Sequence, residues 1–399
     1  MHFEFATATR IIFGAGKLRE IGPIARGFGR RALIVTGRSA DRSRELNRLL
    51  GEQGIARWIF TLPGEPTIEQ VQSGVRLARL EACDLVVAFG GGSAIDGGKA
   101  IAALMRNDGD ALDYLEVIGR GQALAQPSAP FIAVPTTAGT GAEVTRNAVL
   151  ASPQHRVKAS FRSPLLLAKV AVVDPELTYR LPPAITASTG LDALTQLVEP
   201  YVSCRANPLT DAICTQGLRH AARSLRLAFE QSQRAADDPL LADGAGERYR
   251  FAREDMAVAS LFGGLALANA GLGAVHGFAA SIGGMFPAPH GAVCAALLPH
   301  VMEANARVLR ARAPESESLR RFDEVGRLLC ASAKATASDG IGWVHELCAD
   351  LKIPRLSAYG ISSSDFALLI DHAARASSMK SNPIPLTMED MKAILEAAL

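Results

Sequence analysis

Five short apolar runs punctuate the first half of the chain: Ala32-Leu-Ile-Val-Thr36, Trp58-Ile-Phe-Thr61, Leu85-Val-Val-Ala-Phe89, Phe131-Ile-Ala-Val134 and Val170-Ala-Val-Val173. A strand that is apolar along its whole length has no face to offer water, so it belongs in a sheet covered on both sides. Alternation of such strands with helix-like segments is the pattern of a parallel α/β domain. The opening, Phe3-Glu-Phe-Ala-Thr-Ala-Thr-Arg-Ile-Ile-Phe13, alternates and runs into Gly14-Ala-Gly16, which predicts a further strand or hairpin, a tight turn and then a helix over about 17–27. After Pro182-Pro183 helical periodicity and glycine breaks replace the β-branched runs. A chain of 399 residues exceeds the size at which single cores stop growing. We therefore expect an α/β dinucleotide-binding domain over 1–183 and an all-helical domain over 184–399. The stretch 231–246, rich in Ala, Asp and Gly, reads as an exposed loop.

Composition narrows the function classes. A formal net charge of +2 with scattered basic residues leaves no footprint for nucleic acid, so a small-molecule ligand is expected. The six cysteines, Cys83, Cys204, Cys214, Cys294, Cys330 and Cys348, form no CxxC pair and read mostly as small buried apolar residues. The N-terminus has no apolar run behind a basic start, which points to a cytoplasmic protein. The stretch 261–286 is long and apolar enough to cross a membrane, yet its seven glycines and its lack of basic or aromatic flanks read as buried helices broken by turns.

Two glycine-rich turns follow strands directly. In Phe89-Gly-Gly-Gly-Ser93, the residues Gly90, Gly91, Gly92 and Ser93 open a helix carrying Asp96 and Lys99, and unpaired N–H groups there suit a diphosphate. In Pro135-Thr-Thr-Ala-Gly-Thr-Gly-Ala-Glu-Val-Thr145, the hydroxyls of Thr136, Thr137, Thr140 and Thr145 flank a backbone free to bend toward a ligand. Turns at the carboxyl ends of neighbouring parallel strands make a shared crevice.

The second half holds the other chemistry. Asp192 and Gln196 stand four apart on a helical stretch, with Glu199 on the same face. Their surroundings are apolar, and a buried carboxylate there needs a cation or hydrogen-bond donors. His276 and His290, each beside glycine, complete a candidate set of oxygen and imidazole ligands for a divalent cation.

Taken together, Phe13-Gly-Ala-Gly16, Gly90-Gly-Gly-Ser-Ala-Ile-Asp-Gly-Gly-Lys99, the Pro135 to Thr145 turn, Gly190-Leu-Asp-Ala-Leu194, Val275-His-Gly277, Pro289-His-Gly291 and Asn382-Pro-Ile-Pro-Leu-Thr387 resemble the iron-dependent (group III) alcohol dehydrogenases. The resemblance covers essentially the whole chain. It implies a dehydroquinate synthase-like architecture, with a dinucleotide-binding domain, a helical metal-binding domain and a cleft between them. It further implies hydride exchange between NAD or NADP and an alcohol or aldehyde held on Fe2+ or, in some members, Zn2+. Homodimers are common among members. By motif position Asp192, His276 and His290 match metal ligands, and Gly91, Gly92, Ser93, Thr136, Thr137 and Lys158 match cofactor contacts.

Two positions depart from the family. Where a histidine ligand usually follows the aspartate by four residues, this chain has Gln196, a weaker and harder donor. Where a proton-delivering histidine often follows His276 by four, it has Ala280, so Lys158, the ribose hydroxyls or solvent would carry the proton. After the first βα strand, Thr36-Gly37-Arg38-Ser39 offers a basic residue where NAD-preferring relatives place an aspartate, which points to NADP unless Asp41 turns in. A maleylacetate reductase-like oxo-acid reductase and a non-redox lyase of the dehydroquinate synthase type are the alternatives.

Overall fold

The apolar runs form one parallel sheet in the computed structural model, which describes residues 2–38, 40–155, 157–237 and 246–399. Its strands are β1 (Arg10–Phe13), β2 (Arg31–Thr36), β3 (Ala56–Thr61), β4 (Leu85–Gly90), β5 (Phe131–Pro135) and β8 (Val170–Val173), in the order β1-β8-β5-β4-β2-β3. Every pairing is parallel. Helices α1 (Ile21–Arg26), α2 (Arg44–Glu52), α3 (Ile68–Leu80), α4 (Gly92–Leu104) and α5 (Ala111–Tyr114) accompany it. The inner strands β4, β5 and β8 are buried along their whole length, as continuous apolar runs require. β3 lies at the edge and is half exposed, with Ile59 open to solvent. On one face Ile34, Val87, Ile132 and Val172 pack with Ile21, Leu46 and Leu50.

Three features of this half differ from the sequence expectation. The strand at the N-terminus is confined to Arg10–Phe13, because only those residues register against β8. The helix expected over 17–27 is split into a 3-10 turn, Lys17–Glu20, and α1. An antiparallel hairpin of β6 (Asn147–Ser152) and β7 (Val157–Arg162) went unanticipated. It is fastened to α4 by buried Lys99, whose Nζ donates to Thr145 Oγ1 and the Asn147 carbonyl, both at 2.7 Å.

The second half contains, among the described residues, only helices: α6 (Pro183–Val202), α7 (Pro208–Asp237), α8 (Glu247–Ala270), α9 (Ala274–Met285), α10 (His290–Arg312), α11 (Glu317–Leu329), α12 (Ala337–Asp350), α13 (Phe366–Arg375) and α14 (Met388–Ala398), with short 3-10 turns. Their core joins Leu191, Leu194 and Leu197 of α6 to Leu218, Phe278 and Leu297. The chain divides into two compact units, an α/β unit of Ala6–Thr137 and Gly141–Thr178 and a helical unit of Tyr179–Leu399 with Ala138–Thr140 and the N-terminal residues up to Phe5. No single helix among the described residues is long and apolar enough to cross a membrane, and α8 and α9, which together would be, are bent by 99° at their junction. The loop expected over 231–246 lies largely outside the described residues.

Candidate active site

Within the α/β unit, the turns after β2, β4 and β5 gather at one edge of the sheet. β4 and β5 are neighbours with Gly90 opposite Pro135, and the Thr136 amide donates to the Gly90 carbonyl at 2.9 Å. A methyl group added to Gly91, the N-cap of α4, would stand 3.3 Å from Thr137 Oγ1, and one added to Gly90 would stand 2.6 Å from the Ala94 Cβ of α4 and 3.5 Å from the Gly37 nitrogen. Glycine keeps this space open, and Gly92 and Ser93 begin α4 with unpaired N–H groups facing the same edge. The cradle thus fits a dinucleotide diphosphate.

The remaining residues of that group take separate positions. Arg38 is exposed at the end of β2 and donates to the Pro63 carbonyl at 3.1 and 3.3 Å. Asp41 pairs with Arg44 at 2.7 Å, and Ser39 lies outside the described residues. Asp96 receives Lys99 Nζ at 3.3 Å and the Val149 amide at 3.1 Å, so both it and Thr145 serve to anchor the hairpin. Lys158, on β7, reaches Glu65 at 2.6 Å and belongs to the α/β unit, whereas Thr140 falls in the helical unit.

The second constellation lies wholly inside the helical unit, on three helices. Asp192, Gln196 and Glu199 occupy one buried face of α6, His276 is in the first turn of α9, and His290 is the first residue of α10. Asp192 Oδ1 is 3.4 Å from His276 Nε2 and 3.8 Å from His290 Nε2. Gly291 allows this approach, since a Cβ there would meet the Ser188 carbonyl of α6 at 2.5 Å. Glu199 sets the His276 ring: its Oε2 is 2.7 Å from Nδ1, and its Oε1 accepts the Val275 amide at 2.7 Å. With Nδ1 held by that carboxylate, Nε2 is turned toward Asp192; burial lowers the His276 imidazole, but Cys294, Glu199 and Asp192 outweigh it and raise the ring well above its ordinary value.

Sequence reasoning passed over Cys294. It stands four residues after His290 on α10, and its Sγ is 3.7 Å from His290 Nε2 and 3.9 Å from His276 Nε2. The i, i+4 spacing was the signal available. Only Cys83, Cys214 and Cys294 are buried, so the view of the cysteines as mostly buried apolar filler is corrected twice over.

The electrostatics of the cluster favour a cation. Burial raises the Asp192 carboxyl, but the imidazoles of His276 and His290 outweigh it and hold the group below its ordinary value. Burial likewise raises the Cys294 thiol, and the same two imidazoles more than reverse it. Asp192 Oδ1 and Gln196 Oε1 are buried acceptors with no hydrogen-bond partner. Such orphans cost about 1–3 kcal/mol each, more for a charged group. One carboxylate oxygen, two imidazole nitrogens and a sulfur within 4.8 Å of one another fit a divalent metal. At Ala280, one turn beyond His276, an exposed methyl group offers no proton carrier.

A strand-edge cradle with room for a diphosphate and a buried cluster that could hold a metal ion are the equipment a dinucleotide-dependent metalloenzyme needs. The profile described as "Iron-containing alcohol dehydrogenase" matches residues 8–175, and that described as "Fe-containing alcohol dehydrogenase family, C-terminal" matches residues 186–399. Alcohol dehydrogenase 4 of Schizosaccharomyces pombe is 36% identical over 394 residues, covering 97% of this chain and 87% of its own. The crystal structure of 1,3-propanediol oxidoreductase superposes with a TM-score of 0.88 at 33% identity, covering 100% of each chain. A complex of sulfoacetaldehyde reductase from Bifidobacterium kashiwanohense with NAD+ gives a TM-score of 0.84 at 28% identity, covering 100% of this chain and 99% of that one.

The chain belongs to the iron-containing alcohol dehydrogenase family. It is accordingly an oxidoreductase acting on CH–OH groups, with alcohols or aldehydes as substrates, in a family that implies a divalent metal.

Proposed function

We propose that Asp192, His276 and His290, with Gln196 beside them, hold a divalent cation, Fe2+ or Zn2+, and that the turns at Gly37, Gly90–Ser93 and Thr136–Thr137 hold NADP in preference to NAD. The observation that carries this reading is the orphaned, buried Asp192 oxygen facing two imidazole nitrogens. Bound there, the cation would supply a Lewis acid for an alcohol or carbonyl oxygen, and the nicotinamide a hydride acceptor or donor.

The chain's own residues do the rest. Glu199 keeps His276 in one tautomer and one orientation through its hydrogen bond to Nδ1. Gly91 and Gly92 leave room for a diphosphate against backbone N–H groups. Arg38 is a cation at the strand end where a 2′-phosphate would lie, while Asp41, the acid that would favour a free 2′-hydroxyl, is engaged by Arg44. Because Ala280 carries no titratable group, the substrate proton is left to solvent or to the ribose hydroxyls; Lys158, whose ammonium is held by Glu65, belongs to the α/β unit. A cytoplasmic homodimer is the assembly we expect.

A screen of NADPH and NADH oxidation over neutral aldehydes of graded length and over carboxylated carbonyls tests the reading, with stripped and metal-reloaded protein side by side. We expect neutral aldehydes, NADPH and reloaded protein to give the higher rates. Equal rates before and after chelation would remove the metal from the mechanism. Preference for carboxylated substrates would favour the maleylacetate reductase-like alternative, and no net nicotinamide oxidation the lyase.

A further inference from the structure

Resting on the metal-site reading above, we infer that Cys294 is a direct ligand of the cation, its thiolate standing in for the imidazole that Gln196 has replaced. The site is then a mixed carboxylate, imidazole, imidazole and thiolate set, and its preferred ion is Zn2+ or another thiophilic metal rather than Fe2+.

Geometry separates this role from that of a buried filler. A tetrahedral ion with bonds of roughly 2.3 Å to sulfur and roughly 2.0–2.1 Å to nitrogen or oxygen places its donors about 3.6 Å apart for S···N and about 3.3 Å for O···N. Cys294 Sγ lies 3.7 and 3.9 Å from the two Nε2 atoms, and Asp192 Oδ1 lies 3.4 and 3.8 Å from them. All four atoms fall within 4.8 Å of one another. These four separations lie within a few tenths of an ångström of those a tetrahedral ion would impose.

Three further observations agree. Cys294 is fully buried, so its sulfur is shielded from solvent thiols and oxidants. It shares α10 with His290 one turn apart, an arrangement that presents two donors from one rigid element. Asp192 and Gln196 are 1% and 3% exposed; the Gln196 Oε1 atom has no hydrogen-bond partner, and Asp192 Oδ1 has the two imidazole nitrogens at 3.4 and 3.8 Å around it. A thiolate is a softer donor than the amide oxygen at 196 and moves selectivity toward zinc and cobalt over Fe2+ and Mg2+.

The test is spectroscopic. Metal-stripped wild-type protein is loaded with one equivalent of Co2+, and binding is confirmed by elemental analysis. The inference expects a thiolate-to-cobalt charge-transfer band in the near ultraviolet, kept in Cys348→Ser and lost in Cys294→Ser. It also expects Zn2+ affinity, measured by chelator competition, to fall in Cys294→Ser by more than the roughly 10–100-fold typical of losing an outer-shell partner. Stoichiometric cobalt without the band in wild type overturns the thiolate ligand and leaves the metal-dependent reading standing. Failure to bind cobalt or zinc at all overturns both. Should Cys294→Ser not fold, the wild-type and Cys348→Ser spectra still decide.

Discussion

Glu199 accepts from both the ring and the backbone at the start of α9, and it is therefore the residue whose loss should loosen the site without removing a ligand. Glu199→Gln is expected to weaken metal binding by roughly 10–100-fold, read by chelator competition. Arg38→Ala should lower kcat/KM for NADPH by about 10–100-fold, the worth of a hydrogen bond to a charged group, and leave NADH nearly unchanged in steady-state assays. Glu143 offers a pH test. Burial pushes its carboxyl up to about 7 from the ordinary 4.5, against partial relief from its own backbone hydrogen bond and from Lys99. The folded state therefore holds this proton more tightly than the unfolded state. The associated stability is complete below about pH 4.5 and is lost as pH rises through about 7, amounting to on the order of 3 kcal/mol. Urea titrations of Glu143→Gln against wild type should show the variant gaining by that amount between pH 5 and 8. The convergence of Asp192, His276 and His290 was legible in the chain, because a carboxylate and two imidazoles in apolar company demand a shared reason, and the fold brings the three together. Cys294 was not legible in the same way, since a buried thiol is also an ordinary apolar residue and only the fold brings it beside the rings.

At the scale of elements, the contact between α6 and the start of α10 fixes the spacing of the ligands. Gly291→Ala would set a methyl group 2.5 Å from the Ser188 carbonyl, so the two helices must part. We expect a loss of about 1–3 kcal/mol of stability by urea denaturation, together with weaker metal retention, because Asp192 and His290 move apart with the backbones. Strands β2, β4, β5 and β8 were legible since full burial leaves unbroken apolar runs. The β6–β7 hairpin was not. Its buried positions, Ala148, Leu150, Ala159 and Phe161, alternate with residues of mixed polarity, and its fastening depends on Lys99 from a distant helix. The N-terminal alternation over Phe3–Phe13 promised more strand than pairing partners allow.

For the molecule as a whole, the glycine-rich cradle lies in the α/β unit and the carboxylate, imidazole and thiol cluster in the helical unit, so on the proposed reading each unit carries one ligand class. A cation that binds only the folded helical unit should stabilise it, by about 2.7 kcal/mol at a free concentration one hundred times Kd. Urea unfolding with and without Zn2+ measures this increment, which Asp192→Asn should abolish. The division into an α/β and a helical half was legible because the period of the apolar residues changes near Pro182-Pro183. The return of Ala138–Thr140 to the helical unit was not, because nothing in a threonine-rich turn says which core it joins.

The order in which the donors occur along the polypeptide has a consequence for biosynthesis. Asp192 emerges from the ribosome long before His276, His290 and Cys294, with two long helices between. At about 5–20 residues per second the carboxylate waits several seconds for its imidazole and sulfur companions. With the proposed ligand set, a nascent chain has no complete grip on a cation until α10 has been made, which places acquisition of the ion late in maturation.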